Sequence, residues 1–200
     1  KCIHLKTGRQ AVAIGCLERF AADYEREHQA PNTQHTVPKS SNGIKVAVVG
    51  SGPAGLSFAG EMNSRGYEVT VFEALHEIGG VLKYGIPEFR LPNSIVDFEI
   101  NNLRNSGVEF IKDCIIGKTI STDELLTQGY AGIFIASGAG LPNFMGIPGE
   151  NSTGIMSSNE YLTRVNLMSA WQGESDTPVT FGKNVVGILV VAFGRIAIFS

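Results

Sequence analysis

The chain has 200 residues, 43% of them hydrophobic, and a formal net charge of −3 without any block of like charge. That composition suffices for a buried core, offers no basic face to nucleic acid, and leaves no solvated charged tail. The longest apolar run, "VVGILVVAFGRIAIFS", is broken by Arg195 and falls short of the ~20 residues a membrane span needs, so it reads as buried strand.

The sequence opens on Lys1 with neither an initiating Met nor a signal-peptide pattern, which suggests a piece of a longer chain. Cys2, Cys16 and Cys114 are an odd set without a CxxC pair, so a disulfide framework is not expected and a reducing, cytoplasmic compartment is. From Ala11 to His28 the spacing of Leu17, Phe20, Ala21 and Tyr24 predicts an amphipathic helix. The aperiodic stretch "QAPNTQHTVPKSSNG" then reads as a linker ending at Gly43.

Beyond the linker the pattern alternates. A strand over 44–49, a helix over 54–65 stopped by Gly66, and a strand over 67–73 make one complete βαβ unit. A second helix is expected to be capped at Asn93 or Ser94, to turn Val96, Ile100 and Leu103 inward, and to end at Gly107, with "VEFI" as a short strand after it. Thr122 reads as the cap of a small helix through Gln128. "AGIFIAS" reads as a strand buried in a parallel sheet, and Ser157 with Glu160 stands at capping-box spacing before a helix through Met168. Strands alternating with helices imply an α/β, Rossmann-like fold with a parallel sheet. Three divisions follow: a helical segment plus linker over 1–42, a nucleotide-binding domain over 43–182, and the start of a further domain over 183–200.

The chemistry concentrates in "VAVVGSGPAGLSFAG". Its turn, Gly50, Ser51, Gly52, Pro53, Ala54 and Gly55, follows a strand and opens a helix, and the acid Glu73 ends the next strand. In that setting Gly50 permits a tight turn, Gly52 lets backbone approach a pyrophosphate, and Gly55 lets helix and strand pack closely. Amide N–H groups at the helix start favour the negative charge. Glu73, followed by Ala74, is placed to accept from a ribose hydroxyl and disfavours a 2′-phosphate. The dinucleotide is FAD or NAD. The glycine pair Gly79 and Gly80 beyond the acid, and the small residues Ser137, Gly138 and Ala139 after the "IFIAS" strand, favour FAD because a longer cofactor needs more backbone without side chains. An NAD-dependent dehydrogenase and a non-catalytic FAD-binding module are the alternatives.

At "IGCLERF", "VVGSGPAGL", "FEALHEIGG", "YGIPEFRLP", "IFIASGAG", "GIPGEN" and "SSNEYLTRVNLM" the sequence resembles the glutamate synthase small-subunit family, whose relatives include the FAD portion of dihydropyrimidine dehydrogenase and the large subunit of NADH-dependent ferredoxin:NADP oxidoreductase. The resemblance implies a subunit that passes electrons from NAD(P)H through FAD to four-iron, four-sulfur clusters and on to a partner subunit or missing domain. It also implies that 1–42 is the remnant of a helical iron–sulfur domain plus linker, 43–182 an FAD-binding domain and 183–200 the start of an incomplete NAD(P)-binding domain. Arg90 would then steady the FAD, Val81 would lie along it, Ile116 would offer backbone to the adenine, and Cys2 and Glu18 would belong to a cluster ligand set otherwise upstream. The sequence departs from the family after "FGKNVV", where Gly187 and Gly194 do not form a second nucleotide turn, so these residues are not expected to bind NAD(P)H themselves. No residue requires a role as acid, base or nucleophile.

Overall fold

A computed structural model describes residues 3–8, 10–28, 40–179, 182–184, 186–190 and 195–199. The chain divides into two compact units between His35 and Thr36, inside the stretch read as a linker and ahead of the expected boundary at Gly43.

The first unit holds α1 (Ile3–Lys6) and α2 (Ile14–Glu27). Arg19 pairs with Asp23 one turn on at 2.6 Å, and Arg26 bonds the other oxygen of the same carboxylate. These bonds, that to Arg19 foremost, hold the Asp23 carboxyl below its ordinary range. Phe20, Tyr24 and His28 succeed one another at helical spacing, with Tyr24 stacked on His28 at 4.0 Å. The periodicity is realised as a helix, but Leu17, Phe20 and Tyr24 are exposed.

The second unit is built on β1 (Lys45–Val49), α3 (Pro53–Ser64), β2 (Glu68–Phe72), α4 (Val81–Tyr84), α5 (Asn93–Asn105), β3 (Glu109–Ile111), α6 (Thr122–Thr127) and β4 (Tyr130–Ile135). The four strands form one parallel sheet in the order β3-β2-β1-β4. β1 is apolar from Val46 to Val49, and β2 interrupts its buried apolar residues only at Thr70, because both faces of these strands are covered. On one face Val48, Val69 and Val71 meet Ala59 of α3, with Leu103 of α5 packed alongside and Phe58 stacked on Phe134 at 4.0 Å. On the other, Ala47 and Phe72 meet Cys114 and Leu125. Each fully buried valine or leucine among them, such as Val48, Val71 and Leu125, contributes about 1.5–3 kcal/mol.

Four sequence expectations change. α5 begins at Asn93 itself, after Pro92, and its first N–H is received by Glu88 Oε2 at 3.0 Å, so neither Asn93 nor Ser94 is the cap. Ser121, not Thr122, caps α6: its hydroxyl accepts from the Glu124 N–H while Glu124 Oε2 accepts from the Ser121 N–H at 2.7 Å. β4 lies at an edge of the sheet rather than inside it, leaving Ile135 70% exposed. The helix after Ser157 is α for only α7 (Ser158–Leu162) and continues as a π-helical turn, Thr163–Leu167.

Two short elements carry too little periodicity to be read in advance, α4 and β5 (Ile155–Ser157). The apolar tail makes two strands, β6 (Val186–Val190) and β7 (Arg195–Phe199), which join β5 in an antiparallel sheet within the second unit. Among the described residues no helix is long and apolar enough to cross a membrane.

Candidate functional site

The glycine turn sits where the strand order reverses. β1 has β2 on one side and β4 on the other, and such a switch point opens a crevice at the carboxyl ends of the strands. Gly50 occupies the left-handed region at φ +100°, and a Cβ there would stand 2.4 Å from the Ala136 carbonyl oxygen. Two backbone bonds press the turn into place: Gly50 N–H donates to Phe72 O and Ala136 N–H to Val49 O, both at 2.8 Å. Gly55 is tighter still, since its Cβ would fall 2.0 Å from the Gly50 oxygen. A Cβ on Gly52, by contrast, would meet nothing within 4 Å. The three glycines thus serve different ends, two for close backbone approach and one for open space at the start of α3.

Pro53 takes the first position of α3, where its missing N–H costs nothing, and the Leu56 N–H makes the bond to Gly52 O. The N–H groups of Ala54 and Gly55 lie in the first turn, ahead of any intrahelical acceptor. They give the crevice two amide donors on the positive end of the helix dipole.

Glu73 is buried, at 6% exposure, and its carboxylate is first of all an internal acceptor. Oε2 receives the Ser51 N–H at 2.9 Å and the Ser51 hydroxyl at 2.5 Å, while Oε1 receives the Leu75 N–H at 2.9 Å. Ser51, fully buried, also accepts from the Gly79 N–H at 2.9 Å through the same hydroxyl. Sequence reasoning puts Ser51 on the cofactor; in the structure its hydroxyl and amide both turn inward and join the β1 turn, the end of β2 and the glycine pair. A carboxylate offers about four acceptor positions, so Glu73 retains one.

The glycine pair completes this arrangement. Gly79 and Gly80 both have positive φ, +129° and +54°, and a Cβ on Gly80 would lie 3.0 Å from Gly52 Cα. The two glycine turns therefore stand back to back. Beneath them Lys83 is 8% exposed, its Nζ 2.6 Å from Asp97 and 3.0 Å from Glu77, which also faces Lys112 at 3.6 Å. Burial alone would lower the Lys83 ammonium, but the bonds to Asp97 and Glu77 outweigh it and raise its pKa. The bond from Lys83 holds the Glu77 carboxyl below its ordinary range. Sequence reading passes over Lys83 because a lysine in a loop-rich stretch is ordinarily solvated; its position four residues past Gly79 is the one available sign.

The remaining expected residues are more dispersed. Ala74, Val81, Arg90 and Gly138 are exposed, Gly138 with φ +68°, and the Arg90 N–H donates to Pro87 O at 2.8 Å. Ile116 is half-buried against the Cys114 and Leu125 cluster. Cys2 lies outside the described residues. Glu18 is exposed on α2, and among the described residues no group of three or more His, Cys, Asp or Glu could hold a metal ion. These residues by themselves do not fit an iron–sulfur cluster. Cys16 is exposed and Cys114 buried, burial raising the latter's thiol pKa. Two amides that sequence reasoning misses, Asn159 and Asn166, donate to the Gly140 carbonyl in the loop after β4 and to the Tyr84 carbonyl at the end of α4.

Residues 44–187 match the family described as pyridine nucleotide-disulphide oxidoreductase. The chain is 39% identical over 153 residues to the glutamate synthase [NADPH] small chain of Bacillus subtilis, a match covering 76% of this chain and 30% of that protein. It is 38% identical over 192 residues to the NADPH-Fe(3+) oxidoreductase subunit beta of Geobacter sulfurreducens, covering 94% of this chain and 27% of that one. The chain thus spans less than a third of the length of either relative. Mycobacterium tuberculosis FprA in complex with NADPH shares its fold, with a TM-score of 0.54 at 22% identity over 60% of this chain and 28% of FprA.

Proposed function

The chain belongs to the pyridine nucleotide-disulphide oxidoreductase family, and from that premise we propose that the crevice at the ends of β1 and β4 binds FAD. The observation that carries this reading is the contrast among the glycines: Gly50 and Gly55 have no room for a Cβ, and Gly52 beside them opens onto free space. A pyrophosphate over Gly52 receives the N–H groups of Ala54 and Gly55. The one free acceptor position of Glu73 takes a ribose hydroxyl, with Ala74 leaving room beside it, whereas a 2′-phosphate there would meet like charge. Gly80, Val81 and Gly138 border the longer half of the cofactor. Arg90 adds a charge-assisted bond from its exposed loop, and the backbone at Ile116 faces the adenine.

Bound FAD supplies two-electron and one-electron transfer, and the chain supplies position and electrostatics. The names of the relatives, a small chain and a beta subunit of NADPH-linked enzymes, support a role as one subunit of a larger oxidoreductase. With it we propose a cytoplasmic subunit that passes electrons from NAD(P)H through flavin to iron–sulfur clusters and a partner subunit. Cys2 and Glu18 take part in a cluster only with cysteines from outside these residues.

The test is the identity of the flavin. Protein purified in folded form and then denatured should release FAD; release of FMN, or of no flavin, refutes the assignment, and a colourless protein that binds NAD favours a dehydrogenase. With FAD bound, these 200 residues should not oxidise NADH or NADPH at ordinary enzyme rates of about 1–1000 per second, because the sequence after Val186 carries no second GxGxxG or GxGxxA pattern. Turnover in that range refutes this part of the reading.

A further inference from the structure

We propose that α7 and the π-helical turn after it form a two-point amide clamp on the half of the crevice that takes the flavin, with Asn159 and Asn166 as its positioning residues. The inference rests on the FAD reading above. Asn159 Nδ2 donates to the Gly140 carbonyl at 2.7 Å, in the loop that follows β4. Asn166 Nδ2 donates to the Tyr84 carbonyl at 3.0 Å, across 82 positions of sequence. Tyr84 is the last residue of α4, whose N-cap is Gly80. Its hydroxyl also stands 3.6 Å from where a Cβ on Gly140 would lie, so the two clamped walls adjoin.

Each bond answers a local need. α4 is a single turn, and its final carbonyls have no partner within the helix. Asn166 satisfies the last of them. It reaches Tyr84 from inside the π-helical turn, where Met168 N–H donates to Thr163 O at 3.0 Å, a five-residue step that shifts the following side chains around the axis. Such turns recur at functional positions. Arg164 anchors the turn, with bonds of 2.7 Å to Glu160 and 2.6 Å to the Pro178 carbonyl.

The direction of the ligand follows from the strand order. Glu73 directly follows β2 on one side of β1, and β4 lies on the other. A dinucleotide with its ribose at Glu73 and its pyrophosphate over Gly52 carries its other half toward the end of β4 and α4, between the clamped walls. ADP ends at the pyrophosphate and does not reach them.

Calorimetric titration of the chain with FAD and with ADP separates the two halves. Asn159→Ala, Asn166→Ala and Asn166→Asp should each bind FAD about three- to tenfold more weakly, the loss expected for one hydrogen bond, and bind ADP within twofold of the unaltered chain. Aspartate keeps the shape of asparagine and loses the donor, so it separates the bond from packing. Unchanged FAD affinity in Asn166→Asp, or equal weakening toward FAD and ADP, overturns the clamp. An unaltered chain that takes ADP and not FAD overturns the FAD reading, and the clamp with it, before any variant is compared.

Discussion

Replacing Glu73 by glutamine tests whether the buried carboxylate holds the glycine turn in the absence of any cofactor. Glutamine matches the shape of glutamate but has one acceptor oxygen and one donor nitrogen. If its oxygen faces Ser51, the nitrogen confronts the Leu75 N–H; if its oxygen faces Leu75, the nitrogen confronts the Ser51 N–H. Either way one backbone N–H loses its acceptor. An unsatisfied buried donor costs about 1–3 kcal/mol. For a unit of this size each kcal/mol shifts the melting temperature by about 2–4 °C, so the expected fall is about 5 °C. Thermal unfolding followed by circular dichroism, with no nucleotide present, measures it. Glu73→Ala strands both N–H groups and the Ser51 hydroxyl and should fall further. An unchanged melting temperature in Glu73→Gln would show that the carboxylate does not hold the turn, and that its value lies with the ligand alone.

The glycines give a contrast within one turn. Gly52→Val should leave the melting temperature nearly unchanged and abolish FAD retention, because its side chain enters open space, while Gly55→Ala should destabilise the fold by about 1–3 kcal/mol or more because its Cβ meets the Gly50 backbone; equal effects of the two on stability would refute the division of roles. The Lys83 network gives stability a limb at each end of the pH scale. Lys83 has a raised pKa, so its contribution is complete below its ordinary 10.5 and is lost as pH rises through the folded value; Glu77 has a lowered one, so its contribution is complete above 4.5 and is lost as pH falls. Urea midpoints measured from pH 3 to 11 should fall at both ends, and Lys83→Met should flatten the alkaline limb; an alkaline limb that survives the substitution assigns it elsewhere.

The sheet strands, the three longer helices and the glycine turn were legible because their signals are local. Two-residue and 3.6-residue periods, the runs around Val48 and Val71, and a glycine after a strand each constrain the backbone within a few residues. The same locality explains the misses. An unbroken apolar run such as that of β4 reads alike in the centre of a sheet and at its edge, because the run records side-chain character and not the number of neighbouring strands. Ser121 and Thr122 are equally good caps in composition, and only the geometry of Glu124 chooses between them.

The candidate site divides along the same line. Sequence alone determined that a glycine turn follows β1 and which residues bear its glycines and the acid after β2, since a left-handed φ and a close backbone approach demand particular residue types. Tertiary structure decided what those residues touch. Ser51 and Glu73, Lys83 and Asp97, and Asn166 and Tyr84 are brought together by the packing of separate elements. Nothing in the spacing of such residues along the chain encodes these contacts, because a bond between residues of different elements is set by where whole strands and helices come to rest.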